Sequence, residues 1–417
     1  MNASARDWRM WLLAGICAAV YSPILNNGFI ADDYVFLEWG TRLKSDFWFL
    51  FTVPPNNFRM TSFLVFGALK ALVGYRPEVF YVFVICLHFI NCLLLWELIT
   101  ILWRDPRIAY LSAVLFAVFQ APQEALLWVA GMGEPLAAFC VLVAILLWLK
   151  DRYVLSAVVY FVGLFSKESS AILLVLIPLI QWHRGGPLFP KRYLVFLIPS
   201  AVFGGVFLWT WSTNVYIQNG IYDAGPRALL VLVRTLNRLF WPWFYLFLAT
   251  FRLKTSQWPD WKRALIYLMW LLVPIAPYLF LTYQTALPSR HVYFVSMVLT
   301  AGMAFLICNL RNKTLQQTFI VGFLAFNIGY LWFRKDAQFE ERARPTTELL
   351  RLLRSHSPRQ ILIFDFPYAE PDVAKAVAWL VPGWTRDLVG VHGTGETCST
   401  CVILRWDPHS RTYSGDW

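Results

Sequence analysis

Apolar stretches long enough to cross a bilayer follow one another almost from end to end of this 417-residue chain, and that repetition limits what it can fold into. The first, "WRMWLLAGICAAVYSPIL", has the basic flank of a signal peptide, yet so many apolar segments follow that it reads as an uncleaved first span. The polar stretches between them are short and rich in Arg, Lys, Pro and Gly. Composition excludes the water-soluble alternative, since 58% of residues are hydrophobic and only 15% are charged. The expected class is an all-α polytopic transmembrane bundle.

Formal net charge is +11, and the cations are clustered. They gather in "RDWR" near the start, "WRDPR" (103–107), "KDR" (150–152), "HRGGPLFPKR" (183–192), "FRLKTSQWPDWKR" (251–263) and "RNK" (311–313). Inner loops carry the excess of Lys and Arg, so all six belong on the cytoplasmic side. That constraint yields about eleven spans, near 9–27, 79–102, 108–120, 135–149, 153–166, 169–182, 193–212, 228–250, 264–283, 291–309 and 315–333. The segment 58–75 contains Lys70 and is flanked by Arg59 and Arg76; it is expected flat on the outer interface as an amphipathic helix, because a crossing there would invert every later loop. The membrane domain is therefore 1–335, with a first outer loop over 28–78.

Residues 336–417 change character. "TTELLRLLRSH" and "DVAKAVAWLVPGW" have helical periodicity, while "QILIFDFP" and "TCVILRWD" read as strands, so a small extracytoplasmic α/β appendage is expected. Its "CSTC" places Cys398 and Cys401 outside the cytoplasm, where a disulfide is the expected state and a zinc site with His392 and His409 the alternative. The other five cysteines lie in spans and pack as small hydrophobes. Dispersal of the basic residues over inner loops excludes nucleic acid as a partner.

The outer loops collect the chemistry. "NNGFIADDYVFLEW" (26–39) sets Asp32 beside Asp33 just after the first span. Adjacent side chains on a helix diverge by about 100°, so one acid can face a site while the other braces it; a helix cap is the plainer role. Glu124 and Glu134 flank one outer turn, Lys167 and Glu168 form another, and Arg290 and His291 a third. His88 and Asn91, at i and i+3 inside a span, suit hydrogen bonding to a neighbouring helix.

The order "NGF..DD", an Arg before an interfacial helix, "LHFIN", "LFAV...P.EALLWVAG..E.LA", "SKES" and "RHVYF" resembles the GT-C superfamily of membrane glycosyltransferases, and within it the protein O-mannosyltransferases and the lumenal O-mannosyltransferases that carry TPR repeats. The resemblance runs from about residue 21 to about residue 296; the TPR array is absent, Met132 stands where many relatives have Arg, and His291 replaces the usual Tyr. It implies transfer of a sugar from a polyprenyl-phosphate donor to an acceptor on the outer side, with Asp32 as base and Asp33 as its catalytic neighbour. It also implies that Lys167 with Glu168 and Arg290 with Tyr293 match family motifs.

The chemistry can be argued separately. A lipid phosphate leaves as an anion and needs fixed cations at the membrane surface, for which Lys167, Arg290 and Arg59 are candidates. An attacking hydroxyl needs a base, for which Asp32 is suited, and a single displacement would invert the anomeric centre. Glu124, Glu168, His291 and Tyr293 are the candidate substrate-binding residues. No metal or other cofactor is expected, although Asp32, Asp33 and Glu124 are of the type that hard cations use. The expected partners are the polyprenyl-phosphate sugar, an acceptor protein or glycan, and membrane lipid. The expected location is a bacterial inner membrane, with the site facing the periplasm or exterior. The rival reading is a transporter or flippase of a lipid-linked saccharide, which should show internal repeats and polar residues near the midplane; the polar groups gather at one face instead.

Overall fold

The computed structural model describes residues 3–43, 45–46, 48, 59–213, 225–243, 261–281, 286–368, 370–392 and 401–415. Cys398, most of the 251–263 basic cluster and the ends of two expected spans, 244–250 and 282–283, lie outside the described residues. Helices dominate: α1 (Ala3–Tyr21), α2 (Asp32–Arg42), α3 (Met60–Val73), α4 (Pro77–Trp103), α5 (Pro106–Val118), α6 (Gly133–Leu149), α7 (Tyr153–Leu164) and α8 (Leu173–His183). They are followed by α9 (Leu197–Thr210), α10 (Arg227–Phe240), α11 (Trp261–Leu272), α12 (Tyr293–Cys308), α13 (Lys313–Tyr330), α14 (Asp336–Ser355) and α15 (Asp372–Trp379). Among the described residues, five helical segments are long and apolar enough to cross a membrane: Trp8–Asn26, Pro77–Trp103, Val129–Leu149, Lys191–Thr210 and Ser289–Cys308.

The basic loops meet at one end of the bundle. The Tyr110 hydroxyl donates to the Arg9 carbonyl at 3.4 Å, His183 Nε2 lies 3.5 Å from the Leu102 carbonyl, Lys262 sits over the Trp182 ring and Arg192 pairs with Asp151 at 3.6 Å. The acid-bearing turns meet at the other end. There Thr61 N donates to Phe165 O at 2.9 Å, Glu124 N to Ser289 Oγ at 3.0 Å, and Trp128 Nε1 to Ile30 O at 3.2 Å. Charge patterning therefore sorted the loops into the two sets that the folded chain keeps apart.

Two expected elements gain detail from the structure. Helix α10 covers the first half of the span expected over 228–250, but it exposes Arg227 and Arg234, and its buried residues are Val231, Thr235 and Leu239. Thr235 Oγ1 accepts from the Leu287 amide at 3.1 Å, which places this part of the amphipathic helix at the acid-bearing end; the rest of the expected span, 244–250, lies outside the described residues. Helix α3 exists within the expected 58–75 segment, but its lysine turns inward: Lys70 Nζ donates to Thr41 Oγ1 at 2.7 Å, while Leu64 and Leu72 are exposed. Its 14 residues reach only about 21 Å, too short for a hydrocarbon core of about 30 Å.

Helices α2 and α3 cross at a glycine pair. A Cβ on Gly40 would lie 2.7 Å from Gly67 N, and one on Gly67 would run into the Gly40 carbonyl. Gly67→Ala is expected to cost about 1–3 kcal/mol of stability through this overpacking, measurable as a lowered thermal midpoint in detergent.

Helix α13 continues without a break through a π-helical turn, Leu331–Lys335, into α14, so the appendage begins on a direct extension of a bundle helix. Its four-stranded sheet, ordered β2-β1-β3-β4, comprises β1 (Ile361–Phe364), β2 (Val389–Val391), β3 (Val402–Asp407) and β4 (Thr412–Ser414). β1 is parallel to β2 and β3, and β3 is antiparallel to β4. The unit leans on the first outer loop: Thr346 Oγ1 donates to Phe29 O at 3.1 Å, and fully buried Glu38 bridges Arg386, at 2.5 Å, and Arg42.

Candidate functional site

The two adjacent acids have different surroundings. Asp33 is fully buried; its Oδ2 accepts from the Ile30 amide at 2.8 Å and its Oδ1 from the Ala130 amide at 2.5 Å. Between Ile30 and Asp32, Ala31 adopts φ of +42°, a conformation that L-residues hold only when their surroundings over-determine it. The bonds from Asp33 and Trp128 to Ile30 supply that restraint. Burial pushes the Asp33 carboxyl up, against the pull of the two amides. Expected as a catalytic neighbour, Asp33 is instead sealed from solvent with both oxygens engaged, and it positions the loop from which Asp32 emerges.

Asp32 begins α2 and is partly exposed. Burial raises its pKa, while Arg290, Arg59 and Arg342 pull it down, Arg290 most strongly. Removing one of these cations raises the pKa of the carboxyl further. If Asp32 acts as a base, Arg342→Gln is therefore expected to move the acid limb of the pH-rate profile to higher pH, and Arg342→Lys to move it less.

Arg290 and Arg342 clasp Trp128, each guanidinium 5.1 Å from its ring centroid. Glu124 ties the pair together, with Oε2 3.4 Å from Arg290 and Oε1 3.6 Å from Arg342. Cations over a partly desolvated indole gain about 1–2 kcal/mol, and the shared carboxylate fixes their spacing. Glu124, expected to bind substrate, thus holds two cations in place.

Beside this cluster Glu134 forms a buried hub. Its Oε1 lies 2.7 Å from His291 Nδ1 and 3.8 Å from Lys167 Nζ; it also accepts from the Tyr278 hydroxyl at 2.9 Å, and its Oε2 from Ser169 Oγ at 3.3 Å. Lys167 pairs with Glu168 as well, at 3.6 Å, and Arg59 lies 3.9 Å from Glu168. Lys167 is thus buried between two carboxylates, and burial is the main cause lowering its pKa. It is held inside this cluster, whereas Arg59 and Arg290 act electrostatically on Asp32. His291, stacked on Tyr278 at 4.2 Å and almost fully buried, is likewise internal.

Tyr293 departs furthest from expectation. It lies in the bundle core with no exposure, its hydroxyl 2.8 Å from His88 Nδ1 and 3.1 Å from Asn91 Nδ2. The turn Ser289–Val292 ends just before it, and the first residue of α12 rotates inward, so Tyr293 joins the interhelical network of His88 and Asn91 instead of lining a substrate site. That network is the helix-to-helix role expected for His88 and Asn91.

Among the described residues, one group has metal-ligand proximity: Cys17, His88 and Cys92, with ligating atoms within 4.8 Å of one another. It is buried among the helices and contains none of the acids. Trp128, Tyr278 and Arg342 join the cluster without having been singled out from the sequence, and Glu134, noted there beside Glu124, is its hub. Arg342 lies in "FEERARP", whose alternating charges resemble a solvated helix face; no local signal marks it.

The fold is shared with a solved structure, that of ArnT from Cupriavidus metallidurans bound to undecaprenyl phosphate, at a TM-score of 0.61 and 12% identity over 98% of this chain and 94% of that one. The likeness is one of fold, and the five apolar helical segments of spanning length among the described residues agree with the polytopic bundle expected from the sequence. No protein-family model and no curated protein sequence matches the chain.

Proposed function

We propose that the chain is an integral membrane glycosyltransferase that moves a sugar from a polyprenyl-phosphate donor to an acceptor hydroxyl on the extracytoplasmic side, with inversion. The observation that carries this reading is the partly exposed Asp32 carboxylate at the acid-bearing end of an apolar bundle, within electrostatic reach of Arg290, Arg59 and Arg342, two of which are held over Trp128. The likeness in fold to ArnT, whose structure holds undecaprenyl phosphate, supports a lipid-linked donor.

In the proposed step the acceptor oxygen bonds to the anomeric carbon as the bond from that carbon to the donor phosphate oxygen breaks. The hydroxyl proton passes to Asp32, and the released phosphate, now carrying the added negative charge, rests against Arg290, Arg59 and Arg342. Low dielectric at the mouth strengthens that attraction relative to water. Trp128 and Glu124 keep two of the guanidiniums from collapsing onto Asp32, and the Glu134 hub holds the neighbouring turn. The acceptor is a protein or glycan, and mannose, which the O-mannosyltransferase resemblance implies, is the first sugar to test.

The test uses purified protein with labelled polyprenyl-phosphate sugars and is expected to release polyprenyl phosphate as sugar appears on the acceptor. Movement of intact donor across a vesicle membrane, without cleavage, would establish the transporter reading instead.

A further inference from the structure

A cavity of about 1170 Å³, whose walls include α4, α11 and α12, runs from Phe294, next to the acid-bearing turns, to Arg104, Arg107 and Arg184 at the opposite end of the bundle. It exceeds the range of about 300–1,000 Å³ usual for small-molecule pockets. Along α12 it extends from Phe294 to Asn309, a length of about 22 Å, which suits hydrocarbon chains. Its walls are mostly apolar, with Leu98, Ile145 and Phe305 among them.

Its rim is cationic. Arg104, Arg107 and Arg184 all border the opening, and among the described residues none of the three has a carboxylate partner within 4.0 Å. Asp105, the acid between two of them, is occupied: its Oδ1 accepts from the Arg107 amide at 2.8 Å and the Ile108 amide at 3.4 Å as the cap of α5. Three guanidiniums at one end of a mostly apolar cavity match one chemistry: hydrocarbon tails and an anionic head. Basic pockets between membrane helices take such headgroups.

We propose that this cavity holds an anionic glycerophospholipid from the leaflet opposite the acid-bearing mouth, with its tails along α12 and its phosphate on Arg104, Arg107 and Arg184. From Tyr81, near the acids, to Arg104 the rise along α4 is about 35 Å, so the headgroup is separate from the donor's. The inference does not depend on the proposed transferase chemistry.

Native mass spectrometry of the purified full chain, exposed to mixed micelles of phosphatidylglycerol and phosphatidylethanolamine with identical tails, tests it. Retention of phosphatidylglycerol is expected to exceed that of phosphatidylethanolamine by at least about tenfold. The triple variant Arg104→Gln, Arg107→Gln, Arg184→Gln should lose that preference, and the corresponding triple Lys variant should keep it. Ile101→Trp, which fills the cavity and leaves the arginines, should reduce retention of both lipids. Should the Gln variant fail to fold, the Lys and Trp variants still decide. Equal retention of the two lipids by the wild type, undiminished retention in Ile101→Trp, or displacement of the bound lipid by a polyprenyl phosphate would overturn the proposal.

Discussion

Replacing Asp32 with Asn is expected to slow sugar transfer by about 10²- to 10⁴-fold, the usual contribution of a positioned general base, while leaving binding of the donor phosphate nearly unchanged. The amide keeps the shape of the side chain and its place at the start of α2, but it cannot take the acceptor's proton. Binding of the donor depends on Arg59, Arg290 and Arg342, which the substitution leaves in place; loss of one anion beside them should tighten rather than weaken their hold on phosphate. Two readouts therefore separate the roles: release of labelled polyprenyl phosphate under turnover, and equilibrium binding of unreactive polyprenyl phosphate. Asp33→Asn is the informative comparison. Because Asp33 anchors the Ile30 and Ala130 amides from a sealed position, its replacement should lower the thermal midpoint and reduce transfer through misplacement of the loop. Full turnover by Asp32→Asn would remove Asp32 from the chemistry and with it the mechanism proposed above.

What was legible in the sequence depended on the range of the interaction involved. The long helices α4, α6 and α12 declare themselves because lipid-facing and buried positions are both apolar, so an uninterrupted run leaves little alternative. The sheet was legible for a related reason: "QILIFDFP" and "TCVILRWD" are short, β-rich and bounded by polar residues, and they form the central strands β1 and β3. Helix α10 reads as the start of a span because Leu229, Leu230, Val231 and Val233 raise its apolar content enough to hide the arginine strip formed by Arg227, Arg234 and Arg238. Among the acids and cations of these turns, residue type and a shared end of the bundle were legible, but their pairings were not. Trp128 between Arg290 and Arg342, or Tyr278 and His291 on Glu134, are contacts between residues distant in sequence, and a motif carries no record of such distances. Tyr293 shows the same limit at its smallest scale: the difference between facing a substrate and facing His88 is set by where one turn of helix begins.

The Glu134 hub should be the most sensitive structural point of the site. Glu134 and Lys167 are each 7% exposed in their side chains, and His291 is 5% exposed beside them, so removing the carboxylate leaves a buried ammonium with only the partly exposed Glu168 as counter-charge. Breaking a buried pair from one side costs about 3–5 kcal/mol, far more than the net worth of the pair itself. Glu134→Gln is therefore expected to lower unfolding stability by that amount, with reduced transfer as a consequence of the displaced Lys167–Glu168 turn. The same physics predicts recovery: in Glu134→Gln combined with Lys167→Met both charges are gone, the Gln amide still offers an acceptor to Tyr278, and most of the lost stability should return. Unfolding of the single and double variants in detergent, closed into a double-mutant cycle, measures the coupling directly. A Glu134→Gln protein as stable as the wild type would mean that Lys167 does not need this carboxylate, and the ammonium would then be free to turn toward the mouth as a fourth cation for the phosphate.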